Sequence, residues 1–326
     1  MTYPMPRLDP EIDAVVRAAG RSLAHDEYPD LPTLRRRNEA ESILELSKFE
    51  EGSVPNIEQT VFDIHSYDGA TIKLYRFGTA EHRKNIVQSA VLYFHGGGFV
   101  TGTVEMYGHL LRTLPGILGA QIFAVDYRLA PEHPFPTPAE DCYAGLLWLH
   151  GNASTFGIDP ARIAVMGDSA GGSLALTLSF FACERKLSPP IAKQILVYPM
   201  LDDRTRVPVE DPMTPYTTWS QRDNMLAWEA YLGKGHAEKP DVEIPAFAVA
   251  ARVADLKGLP PTYMDVGGFD IFRDENIAFA ARLSKASVEV EFHLYPGLPH
   301  AFEGIAPLSS ITQRATANRA ASFGAV

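Results

Sequence analysis

Ser169 stands in Gly167-Asp168-Ser169-Ala170-Gly171, after an apolar run that ends at Met166 and before the helix-like stretch Gly172–Leu178. A serine on a sharp strand-to-helix turn has a strained backbone and a hydroxyl pushed into a cleft. Small residues flank it because strand and helix pass close together there. Glycine and serine are common, so the pattern needs partners before it means chemistry. Acyl transfer by serine requires a base, a group that orients the base, and N–H donors for the oxyanion.

The donors are expected at His95-Gly96-Gly97-Gly98-Phe99, directly after the apolar run 90–94. Side chains would block a ligand from the backbone, so a triple glycine suits the task. Gly97 and Gly98 are the expected donors, with the N–H of Ala170 as a third. The base should follow the last strand, which places His300 in the role, in the loop Pro296–Phe302. Imidazole takes and returns a proton near neutral pH. His293 reads as a strand residue that packs; His25, His82, His150 and His236 read as surface positions. The acid is less determined. Asp270 fits the chain order serine, acid, histidine. Asp202 and Asp203 are rivals after the strand 194–199, while Asp274 and Glu275 read as helix-start charges. Asp168 reads as support for the turn.

These residues need a scaffold. Thr60–His65 and Thr71–Phe77 alternate as two strands around the turn Tyr67-Asp68-Gly69-Ala70. Apolar strand-like segments follow at 90–95, 121–127, 162–166, 194–199, 262–266 and 288–295, with helical stretches such as 139–150 and 276–286 between them. Runs of that kind are strands with helices covering both faces, so the expectation is a mostly parallel sheet with an antiparallel start. Residues 9–50 read as helices, including 11–19 and 34–49. The segment 203–246 lacks strand signals and holds a helix from Ser220 to Leu232. Ser220 and Asp223 form its expected capping box, and Met225, Trp228 and Leu232 its expected apolar face. An insertion at the end of the sheet where sites form reads as a lid.

Five motifs together resemble the hormone-sensitive-lipase branch of the α/β-hydrolases, the family IV carboxylesterases. They are His95-Gly96-Gly97-Gly98-Phe99, Asp126–Pro136, Gly167–Gly172, Asp270–Glu275 and Pro299-His300-Ala301-Phe302. The resemblance implies an eight-stranded α/β-hydrolase fold with a helical cap, an N-terminal cap segment over 1–55, and a catalytic domain over 56–326. It also implies a Ser169–Asp270–His300 triad and serine-esterase activity without a cofactor or metal. The family's acid motif has Pro-Leu where this chain has Ile271-Phe272, which leaves the acid in place. Family members often dimerise through the strand near 288–295, so a homodimer is an expectation of the resemblance alone. Phe99, Leu201 and Trp219 are expected to line the substrate pocket, and Arg128 to anchor its loop.

The same triad would serve amide or formamide hydrolysis. A true lipase needs an apolar lid, whereas 203–246 carries Arg204, Arg206, Glu210, Asp211, Arg222 and Asp223. A non-catalytic receptor on this fold would lack the base, and His300 is present. Net charge of −11 argues against nucleic acid and anionic membrane surfaces as partners. No apolar run reaches spanning length, and the first ten residues do not read as a signal peptide, so a cytoplasmic enzyme acting on a small-molecule ester is expected. Cys142 and Cys183 both read as reduced core residues in apolar helices.

Overall fold

The computed structural model describes residues 7–20, 22–23, 28–46 (backbone alone at 41–46), 56–79, 88–208, 210–324 and 326. His25, His82, the end of the expected 34–49 helix and the junction at residue 55 lie outside them.

Eight strands form one sheet in the order β1-β2-β4-β3-β5-β6-β7-β8. They are β1 (Glu58–His65), β2 (Thr71–Gly78), β3 (Gln88–Phe94), β4 (Gln121–Asp126), β5 (Ile158–Asp168), β6 (Lys193–Val197), β7 (Thr262–Phe269) and β8 (Val290–Pro299). β1 pairs antiparallel with β2, and β2 antiparallel with β4; every later pairing is parallel. The antiparallel start and parallel remainder are as the residue patterns predict.

Side chains alternate across each strand, and the core divides accordingly. Leu92, Phe94, Phe123, Val125, Val165 and Leu196 belong to one layer. Val91, Tyr93, Ile122, Ala124, Ala164, Met166 and Ile195 belong to the other. Both faces of the inner strands β3 to β7 are covered, so these read as mostly apolar runs in sequence, whereas the edge strands β1 and β8 are partly exposed and alternate. The helices are α1 (Pro10–Ala18), α2 (Leu31–Leu46), α3 (Gly108–Leu118), α4 (Thr137–Asn152), α5 (Ala170–Glu184), α6 (Gln221–Leu232), α7 (Arg273–Lys285), the single turn α8 (Phe302–Ile305) and α9 (Ser310–Phe323). α5 is buried without interruption from Ala170 to Ala182. Its end is not: Cys183 is exposed, its thiol donating to the Gly258 carbonyl at 3.2 Å. The core position expected for Cys183 is therefore wrong, because α5 emerges from under its neighbours in its last turn; Cys142 is buried as expected.

The two N-terminal helices go to different places. α1 is capped by Asp9, whose carboxylate accepts from the Glu11 N–H at 2.9 Å. It docks beside the end of β8, where the Asp9 N–H donates to the Gly297 carbonyl at 3.0 Å. α2 instead packs on α6. α6 starts with the expected capping box between Ser220 and Asp223. Its buried face is Asp223, Asn224, Ala227, Trp228 and Tyr231; of the expected apolar face, Trp228 belongs to it and Met225 and Leu232 do not. Met225 and Leu232 are only half-buried. The helix is rotated because Ala227 and Tyr231 meet the loop after β3.

Two register details position the site. Phe269 pairs with Pro299 at the ends of β7 and β8. Asp270 and His300 are the next residues on the two strands, so the pairing sets them side by side. β8 thus runs on to Pro299, four residues past the expected end at Tyr295, where Pro296 and Gly297 suggested a loop. Phe94 pairs with Gly167 where β3 and β5 end, which brings the triple-glycine loop beside Ser169. The chain leaves β3 for β4 on one side and returns to β5 on the other. A cleft opens at such a reversal, at the carboxyl ends of the strands.

Candidate active site

Ser169 has φ 55° and ψ −120°, a conformation that costs a non-glycine residue about 1–3 kcal/mol. The surroundings hold it there. The Ser169 N–H donates to the Val197 carbonyl at 2.9 Å, and the Ser169 carbonyl accepts from the N–H groups of Ser173 at 3.1 Å and Met200 at 3.2 Å. Gly171 lets α5 approach β3: a Cβ there would lie 2.0 Å from the Phe94 oxygen. The Ser169 hydroxyl is 3.1 Å from His300 Nε2. On the other side of the ring, Nδ1 lies 2.7 Å from Asp270 Oδ2. Asp270 Oδ1 accepts the N–H of Phe272 at 2.9 Å, which aims the free oxygen at the imidazole. Asp270 is fully buried, and Ser169 and His300 nearly so. An acceptor at Nδ1 keeps the proton on that nitrogen and leaves Nε2 free to take one from serine.

Gly97 and Gly98 have φ of 109° and 60°. A Cβ at Gly97 would sit 2.2 Å from the Thr101 oxygen, so glycine is required on two grounds. The Gly97 carbonyl turns back to accept from Val100 and Thr101, both at 3.0 Å. No acceptor among the described residues takes the N–H groups of Gly97, Gly98 or Ala170. His95 anchors this loop. Its ring stacks on Tyr127 at 4.3 Å and its Nδ1 donates to the Gly96 carbonyl at 2.7 Å. Burial pushes its pKa down, so the ring is held neutral. Asp168, beside Ser169, accepts from the hydroxyls of Tyr93 and, at 3.1 Å, Tyr107. Burial raises its pKa to about 6 against the pull of those bonds. It braces the turn beneath the serine, as the sequence suggests.

The sequence model of the α/β-hydrolase fold matches residues 91–304, which span every group just described. The chain belongs to the α/β-hydrolase fold family. This hydrolase is 34% identical over 255 residues to the carboxylesterase NlhH of Mycobacterium tuberculosis, covering 77% of each chain. It is 32% identical over 278 residues to an ethyl acetate hydrolase of Pseudomonas putida, covering 82% of this chain and 81% of the relative. Among solved structures it is similar to a bacterial heroin esterase, with a TM-score of 0.83, 34% identity, and coverage of 97% and 96% of the two chains.

The hydrolase has further groups around the site that residue patterns do not mark. Tyr198 and Phe272 set their rings edge-on to His300 at 4.6 and 5.1 Å. Tyr198 is steadied in turn by Glu303, which accepts from its hydroxyl at 3.1 Å and also pairs with Arg319. Thr218, just before α6, donates to the His300 carbonyl at 2.6 Å. Arg35 of α2 donates to the carbonyls of Val100 at 2.7 Å and Ala130 at 2.5 Å, and forms a two-pronged pair with Glu132 at 2.7 and 2.6 Å. Arg128 anchors its loop as expected, to Asp141 and Asp68.

The rival acids have other work. Asp203 is buried at 2.7 Å from His236 Nδ1 and takes both prongs of Arg252 at 2.8 Å. His236 is therefore buried, contrary to its surface reading, because its partner lies 33 positions away. Asp202 pairs with Arg204 at 2.8 Å. Asp274 is an exposed helix-start charge paired with Arg273. Glu275 is more than that: it accepts from the Leu201 N–H at 2.5 Å and from Thr205, strapping α7 to the loop after β6. Of the expected pocket residues, Leu201 is fully buried on that strap. The Phe99 ring is fully buried, stacked on Tyr231 at 4.0 Å. Trp219 is half-buried with its ring against Gly98. Among the described residues, no cluster of side chains fits a metal ion, and no helix is long and apolar enough to cross a membrane.

Proposed function

We propose that this hydrolase is a serine carboxylesterase acting on short- to medium-chain esters through an acyl-serine intermediate. The observation that carries it is the relay Ser169–His300–Asp270, with gaps of 3.1 and 2.7 Å. His300 Nε2 takes the hydroxyl proton as Ser169 Oγ bonds to the ester carbonyl carbon. The carbonyl oxygen becomes an oxyanion that accepts from Gly97, Gly98 and Ala170. His300 then gives its proton to the departing alcohol oxygen as the C–O bond breaks. Water adds to the acyl-serine by the same route in reverse and releases the acid. Asp270 stabilises the imidazolium and keeps its own charge. The charged residues of the 203–246 segment favour small soluble esters over lipid aggregates. Two separate free thiols are in keeping with a reducing cytoplasm.

A fluorophosphonate should label Ser169 in the wild type and nothing in Ser169→Ala. With p-nitrophenyl esters from C2 to C12, turnover should be greatest at the short end and absent in Ser169→Ala. Undiminished hydrolysis by that variant would rule the mechanism out.

A further inference from the structure

α6 lays its buried face on the oxyanion loop. A Cβ on Gly98 would meet the Trp219 ring at 2.8 Å and the Ala227 Cβ at 3.0 Å. Phe99, next in the loop, packs on Tyr231 and Trp228 at 4.0 and 5.3 Å. Asn224 occupies the same face, one turn before Ala227 and Trp228. Its side chain is fully buried, yet neither Oδ1 nor Nδ2 has a hydrogen-bond partner among the described residues. The buried Nε1 of Trp219 is in the same condition. Asp223 next door differs, since the capping box engages it.

A carboxamide offers two donors and an acceptor with two lone pairs. Burying it unpaired is a penalty that leucine, of similar size, would avoid. A buried polar group of this kind in a native fold calls for a partner. Through Ala227, Trp228 and Tyr231 the same helix face bears on Gly98 and Phe99, in the loop that the ester carbonyl has to reach. We propose that Asn224, with Trp219 Nε1, forms a polar specificity subsite. It receives a hydroxyl or carbonyl carried by the substrate within a few bonds of the reacting ester. The inference rests on the serine-esterase reading and narrows its substrate class to functionalised esters over plain alkyl ones.

The test compares ethyl butyrate with ethyl 3-hydroxybutyrate and 2-hydroxyethyl butyrate, followed by acid release in a pH-stat. The wild type should favour at least one hydroxylated ester over ethyl butyrate in kcat/KM. Asn224→Leu should reduce that preference ratio about 5- to 10-fold, the worth of one hydrogen bond. Asn224→Ala, which adds no bulk, should reduce it likewise, and serves if the leucine variant does not fold. Unchanged ratios in the folded variant, with or without a higher melting temperature, would make Asn224 merely structural and overturn the proposal. In that case wild-type turnover of ethyl butyrate, lost in Ser169→Ala, would still uphold the esterase reading.

Discussion

Asp270 and Asp203 are both buried aspartates 2.7 Å from a histidine Nδ1, and they do different things. Beyond His300 lies a serine hydroxyl. Asp203 is instead shared with Arg252, which neutralises it where it stands. Substitutions should separate the two roles. Asp270→Asn removes the acceptor that fixes the tautomer and should lower kcat by about 10⁴-fold with the fold retained. Asp203→Asn breaks a buried ion pair and should cost about 3–5 kcal/mol of stability by denaturant unfolding, with kcat little changed. Asp168 makes a third case. Its native pKa of about 6 lies above the value of an exposed aspartate, so the folded state binds the proton more tightly than the unfolded chain. Its contribution favours folding at low pH and is lost as pH rises through about 6. Asp168→Asn should therefore gain melting temperature relative to wild type as pH climbs from 4 to 7, and a constant gap across that range would contradict the assignment.

At the scale of elements, the oxyanion loop is held from outside by α2. Arg35 ties Val100, two residues past Gly98, to Ala130, whose own N–H donates to the Phe99 carbonyl at 2.9 Å. Lysine cannot reproduce a planar fork. Arg35→Lys should lower kcat by roughly 10- to 100-fold, the scale of a displacement of up to an ångström at reacting groups, with a smaller change in KM. This strap was not legible in the sequence, because nothing local to Arg35 distinguishes it from Arg36 or Arg37. The same limit explains His236 and the rotated face of α6: each is decided by residues more than thirty positions away. Ser169 and the triple glycine were legible because each sits at a strand end whose apolar run announces it, and His300 because it follows the last strand in the chain. Asp270 was legible only through chain order, and the pairing of Phe269 with Pro299 supplies the reason that order works.

Across the whole molecule, the inner strands declared themselves because both of their faces are covered, and the edge strands by alternation. The C-terminal α9 did not, since its buried positions include Thr312, Arg319 and Ser322 alongside apolar ones. Arg319 is there to meet Asp265 on β7, at 2.6 and 3.0 Å. Segments from the N-terminal and C-terminal parts of the described chain also meet. Besides the Asp9 bond to Gly297, Glu11 accepts from the Ser310 N–H at 3.0 Å, across 299 positions. Such long-range closures are slow to form, because loop entropy is lost before the contact returns anything. The stretch they secure runs from the end of β8 through His300 to the start of α9, so the proposed proton carrier comes to rest among the last parts to lock. During refolding from denaturant, catalytic turnover should accordingly lag behind the return of the far-ultraviolet helical signal.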